Sequence, residues 1–101
     1  MSRWRKATRI PRAVKDRVWE RDGGCCIFCG SPHAAPEAHY IPRSKGGMGV
    51  EENILTVCRY CHEQLDEGKR WRFLRDWARG YLTEHYPDWD EEKLVFHKWE
   101  V

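Results

Sequence analysis

The chain has 101 residues, with 18 Lys and Arg against 16 Asp and Glu and a formal net charge of +2. Leu, Ile, Val and Phe supply only 18 residues, so a metal, a disulfide or a partner is expected to supplement a thin core. Six tryptophans argue against disorder. No apolar run nears the ~20 residues of a membrane span, and the size argues against a multidomain enzyme.

Residues 1–21 carry eight cations, Arg3, Arg5, Lys6, Arg9, Arg12, Lys15, Arg17 and Arg21, against Asp16 and Glu20. Residues 1–10 are expected as a flexible basic arm. They lack the apolar stretch of a secretory signal, so a cytoplasmic location is expected. A helix is predicted from about Pro11, a residue tolerated at a helix start. Val14 and Val18 give it an apolar stripe, and Asp22-Gly23-Gly24 ends it.

Residues 25–68 are punctuated by Pro32, Pro36, Pro42, Gly46, Gly47 and Gly49, so their elements must be short. Ala38–Ile41 reads as a strand and Asn53–Val57 as a second, joined by the loop Pro42–Glu52. Residues Arg59–Glu67 suit a helix stopped by Gly68. From Lys69, a helical spacing of Trp71, Leu74, Trp77, Ala78, Tyr81 and Leu82 runs to Pro87. Trp77 and Tyr81 are expected in the core. Asp88–Lys93 is read as a turn of helix and Leu94–Phe96 as a terminal strand. The domain reading is therefore a basic arm (1–10) and one domain (11–101), with its informative core at about 25–67 and a helical extension at 69–101.

Cys26-x2-Cys29 and Cys58-x2-Cys61 are two knuckles of the kind that each give two thiolates to a tetrahedral zinc. In a reducing compartment the doubled spacing favours structural Zn²⁺ over disulfides. Four thiolates leave no open position, so this metal holds the fold and does no chemistry. Cys25 is left without a role.

The zinc-closed segment also gathers His39, Asn53 and His62. With Ala38-His39-Tyr-Ile-Pro42-Arg-Ser-Lys-Gly-Gly47, Glu-Glu-Asn53-Ile-Leu and Cys58-Arg-Tyr-Cys61-His62, the chain resembles the HNH endonuclease family over about residues 25–67. The resemblance implies a small α+β fold: a ββα-metal (His-Me finger) core stapled by the four-cysteine zinc site, with a helix on either side. It implies metal-dependent hydrolysis of DNA phosphodiesters. His39 would be the general base, Asn53 a group that orients it or supports the loop, and His62 a ligand of a catalytic divalent cation. That cation would be Mg²⁺ or Mn²⁺, with Ni²⁺ or Zn²⁺ as alternatives. Many relatives carry a ligand just before the base, where this chain has Ala38. Asp66, four residues after His62 on one helix face, is the candidate replacement, with Glu37 a weaker one.

Arg43 and Lys45 in the Gly-rich loop, and Lys69, Arg70 and Arg72 in the second basic block, are the candidate DNA contacts. Trp4 and Trp71 are candidates for stacking on bases. No element resembles a recognition helix, so low sequence specificity is expected. The expected partners are DNA and, by resemblance to prophage members, phage packaging proteins; no membrane is implied. The alternative reading is a non-catalytic zinc-dependent DNA-binding module, which the missing ligand at Ala38 favours. A protein-binding zinc ribbon is a third.

Overall fold

The computed structural model describes residues 2–97. Met1 and residues 98–101, including the end of the expected extension, lie outside the described residues. Helices α1 (Arg3–Thr8) and α2 (Arg12–Arg21) lead into an antiparallel pair, β1 (Ala34–His39) and β2 (Ile54–Cys58). Helices α3 (Arg59–Glu67) and α4 (Trp71–His85) follow, and a short 3-10 turn spans Glu91–Leu94. Strands β1 and β2 with α3 make the small α+β, ββα arrangement that the resemblance implied.

The first difference from the sequence reading is the arm. Residues 3–8 form a helix whose N-cap, Ser2, accepts a hydrogen bond from the Arg5 N–H at 3.1 Å. Thr8 is completely buried. Six residues do not hold a helix alone in water; what holds α1 is docking, which a composition of mostly cations does not reveal.

Helix α2 starts as expected: Pro11 is its extended N-cap residue, just before Arg12. Its buried Val14 and Val18 pack with Ile54 of β2 and Ile10. The next residues of β2 turn the other way, as a strand's period of two requires. Leu55 and Val57 join the main core with Ala38, Tyr40, Ala78 and Leu82. Every residue of β2 is buried. Helix α4 presents Ala78 and Leu82 to this core, whereas Trp77 is 43% exposed. Expected inside, Trp77 instead stacks on Tyr81 at 5.5 Å and tilts against Phe28 at the core's edge.

Strand β1 begins four residues earlier than predicted and includes Pro36. Ala35 pairs with Val57 and Ala38 with Leu55, so three steps on β1 face two on β2. The extra residue is a bulge, one of the few places where a strand admits proline. That device hid the start of the strand from a reading that took Pro36 as a breaker.

A buried ion pair links the layers. Arg21 donates to both Asp22 oxygens at 2.7 and 3.0 Å, and to the Ile54 and Glu51 carbonyls. Asp22 also accepts from the Tyr81 hydroxyl at 2.6 Å and the Thr56 N–H at 2.8 Å. Burial alone would raise the Asp22 carboxyl, but Arg21, Tyr81 and Thr56 together hold it below the usual carboxylate value.

The loop between the strands is tied from inside and from both flanks. Asn53, fully buried, accepts from the Ile41 N–H at 2.8 Å and donates to the Ile41 and Met48 carbonyls at 3.2 and 2.9 Å. The Gly49 N–H donates to the Ala7 carbonyl, the Met48 N–H to the Leu94 carbonyl, and the Phe96 N–H to the Gly46 carbonyl. The expected terminal strand at Leu94–Phe96 is reduced to one bridge, Val95 to Gly47.

Candidate metal centre and histidine cleft

The sulfur atoms of Cys26, Cys29, Cys58 and Cys61 all lie within 4.8 Å of one another. Cys29 Sγ and Cys58 Sγ are 3.7 Å apart. That is too far for a disulfide, whose S–S bond is about 2.05 Å. It is close to the ~3.8 Å edge of a tetrahedron with ~2.3 Å Zn–S bonds. Cys58 ends β2 and caps α3, its sulfur accepting from the Cys61 N–H at 3.4 Å. One strand-to-helix junction thus sets the second knuckle. Burial pushes the Cys26 thiol up, but N–H groups of Cys58, Cys29 and Phe28 outweigh it and bring it down to about 7. Burial and the neighbouring sulfurs of Cys58 and Cys26 push Cys61 the other way. Four crowded thiols that cannot all ionise unaided fit a cation that takes them as thiolates. Cys25 stays outside the cluster, its thiol 3.7 Å from the Asp22 carbonyl.

The second site is a cleft of about 480 Å³ lined by Arg9, Ile10, Lys15, Glu37, His39, Pro42, Arg43, His62 and Asp66. Strand β1 contributes Glu37 and His39, α3 contributes His62 and Asp66, and the N-terminal region contributes Arg9 and Lys15. Cys61 and His62 are neighbours on α3, about 100° apart around the helix: the first is buried among the sulfurs, the second borders the cleft.

His62 Nε2 lies 3.4 Å from Asp66 Oδ2, one helical turn on, and both side chains are nearly half exposed. The i, i+4 expectation for this pair holds geometrically. Among the described residues, the four cysteines are the one group of three or more such donors gathered this tightly. His62 and Asp66 are a pair, and two donors alone would leave most of a cation's shell to water and other oxygens. His39 Nε2 lies 2.9 Å from the main-chain carbonyl oxygen of Thr8, within hydrogen-bond distance. Burial pushes the His39 ring below the ordinary imidazole value, against the pull of that carbonyl, and Arg43 adds to the lowering.

Not every sequence-predicted residue reaches the cleft. Asn53 is absent from its lining; its side chain is consumed by the loop carbonyls and the Ile41 N–H, the loop-supporting role. Lys45 lines an adjoining groove with Asp66, Trp71 and Arg75. Lys69, Arg70 and Arg72 are exposed but border neither the cleft nor that groove. The Arg70 and Arg72 guanidiniums lie over the Phe73 and Trp71 rings. Trp4, in turn, lies under Arg43. Ala38 is 1% exposed in the core and does not border the cleft. The N-terminal charge run marks a DNA-facing arm, but nothing in the sequence shows that Arg9, Lys15 and the Thr8 carbonyl fold back onto this cleft. Glu37, weighed lightly, does border the cleft, where it pairs with Lys15 at 3.2 Å.

Comparison with known proteins agrees with this geometry. The chain is similar to a protein described as anaredoxin from Nostoc sp. (strain PCC 7120), with 27% identity over 59 residues, covering 57% of this chain and 78% of that one. A family model described as HNH endonuclease matches residues 26–77, just over half the chain. The match spans both cysteine knuckles, His39, Asn53, His62 and Asp66, and its family implies a nuclease or DNA-binding role and interaction with DNA. The chain belongs to the HNH endonuclease family.

Proposed function

We propose that the protein is a metal-dependent endonuclease that hydrolyses DNA phosphodiester bonds with little sequence preference. The observation that carries this reading is one cleft holding His39, the His62–Asp66 pair and the cations Arg9, Lys15 and Arg43. Arg9 and Arg43 place positive charge where a phosphodiester would enter, and a guanidinium binds phosphate oxygens bidentately. Lys15 contributes less, because Glu37 already pairs with it. His39 takes the proton of the water that attacks phosphorus; its lowered affinity for a proton keeps the ring in the basic form near neutral pH. His62 and Asp66 hold the divalent cation, Mg²⁺ or Mn²⁺. When bound, it offsets charge growing on the phosphate and the leaving oxygen. Asn53 holds the Ile41–Met48 loop in place behind His39. The four cysteines hold structural Zn²⁺. A prophage relation and a packaging partner rest on the family resemblance alone.

The site of Ala38 weakens the non-catalytic alternative. That reading rests on a ligand missing from the cleft, whereas position 38 faces the core. The test is relaxation or linearisation of supercoiled plasmid by purified zinc-loaded protein. Cleavage with Mg²⁺ or Mn²⁺, abolished by a chelator, is the expected result. An intact plasmid with each of Mg²⁺, Mn²⁺ and Ni²⁺, together with salt-sensitive DNA binding, would return the protein to the binding-module reading.

A further inference from the structure

The family match begins at Cys26, yet a polar contact of the His39 ring comes from outside it. Thr8 ends α1, where the last helix carbonyls have no partner within the helix. Its oxygen lies 2.9 Å from His39 Nε2. A carbonyl only accepts, so a ring bonded to it carries its proton on Nε2. A neutral imidazole has one N–H, so the nitrogen that serves this carbonyl leaves the lone pair on the other.

The Thr8 carbonyl is firmly placed. Thr8 is fully buried and its hydroxyl donates to the Trp4 carbonyl at 2.9 Å. The neighbouring Ala7 carbonyl accepts from the Gly49 N–H at 3.0 Å. A Cβ on Gly49 would stand 1.9 Å from the Arg9 carbonyl oxygen, so only glycine lets this segment approach the loop.

We propose that the main-chain carbonyl of Thr8 is a positioning group for His39: it selects the Nε2–H tautomer and leaves Nδ1 as the nitrogen that accepts a proton. The role rests on the nuclease reading, and it assigns the N-terminal helix a part in the site. Gly49→Ala perturbs the contact without touching His39, because its methyl must push residues 7–9 off the loop. A chain lacking residues 2–8 removes the carbonyl altogether.

The experiment is long-range ¹H–¹⁵N NMR on zinc-loaded protein with ¹⁵N-labelled histidine, at a pH where the ring is neutral, beside plasmid cleavage kinetics. The His39 resonances are expected to show Nε2–H in the unmodified chain and a shift towards Nδ1–H in both variants. In Gly49→Ala, kcat should fall by about 10²-fold, the cost of a misplaced reacting group, with KM for DNA changed less than about threefold. An Nδ1–H ring in the unmodified chain overturns the proposal, even if neither variant folds. So does an unchanged tautomer in a folded variant. A rise in cleavage in either variant also overturns it, because the segment would then cover His39 and not support it. If the unmodified protein cuts no plasmid with any metal, the nuclease reading fails, whereas the tautomer still reports on the Thr8 bond.

Discussion

The cysteine cluster and the histidine cleft share helix α3 and sit on opposite ends of one two-stranded sheet, but they are built by opposite means. Cys58 ends β2 opposite Ala34, and His39 ends β1 opposite Ile54, at the far end of the ladder. The sulfurs come from two four-residue knuckles and converge using protein atoms alone. The cleft takes side chains from the N-terminal segment, from α2, β1 and α3, and from the loop after β1, and its candidate ligands are only a pair. A closed donor set suits permanence; a sparse, half-exposed one suits exchange with water and substrate. On the proposed function, the contrast separates a part that maintains the fold from a part free to do chemistry.

The largest expected effect falls on the first site. Cys58→Ser should lose zinc and the folded state together, because structural zinc contributes about 10–16 kcal/mol in zinc-finger peptides, as much as the whole stability of a typical domain, about 5–15 kcal/mol. Zinc content and circular dichroism measure this, and a folded variant with normal zinc would break the contrast. His39→Ala should do the reverse. Cleavage should fall by about 10²–10⁴-fold while zinc content, fold and DNA binding persist; wild-type cleavage would remove His39 as the base.

A third experiment asks whether packing polar groups match the metal in importance. Asp22→Ala strands the buried Arg21 guanidinium and should cost about 3–5 kcal/mol in denaturant unfolding. Because the folded Asp22 carboxyl sits below its unfolded value, its contribution is full above the unfolded pKa, about 3.9. It is lost as pH falls through the folded value. The variant's stability should therefore respond less to acid below about pH 4 than the parent's; an equal response would show that other carboxylates set the acid limb. The smallest effect is expected for Asp66→Ala. It should raise the divalent-ion concentration needed for half-maximal cleavage by about tenfold, a loss of about 1.4 kcal/mol, with zinc content untouched. An unchanged metal titration would make Asp66 a solvated carboxylate.

What could be read from the sequence follows the same divide. Both knuckles, the start of α2, the helix after Cys58 and the i, i+4 relation of His62 and Asp66 depend on spacings of two to four residues, which a sequence displays directly. The bulge at Pro36, the docking of α1 on His39 and the Arg21–Asp22–Tyr81 network depend on contacts across 17 to 59 residues. Trp77 was misplaced for a related reason. Helical periodicity marks a stripe, and it is the small Ala78 and Leu82, not the largest ring on that stripe, that fit against β2. Ala38 is the opposite case: the motif shows which position precedes His39, but only the folded strand shows that this position faces the core.

The ties on the interstrand loop also govern when the protein can finish folding. The Gly46–Gly49 segment is bonded to Ala7 on one side and to Leu94 and Phe96 on the other. A ribosome delivers residue 7 early and residues 94–96 late. The two strands, α3 and the four cysteines have all emerged once residue 67 has, but the loop flanking His39 must wait for nearly thirty more. Such distant pairings also slow folding in a test tube. Synthesis therefore orders the two sites in time: the metal scaffold can set first, and the cleft acquires its final shape only when the late segment closes over the loop.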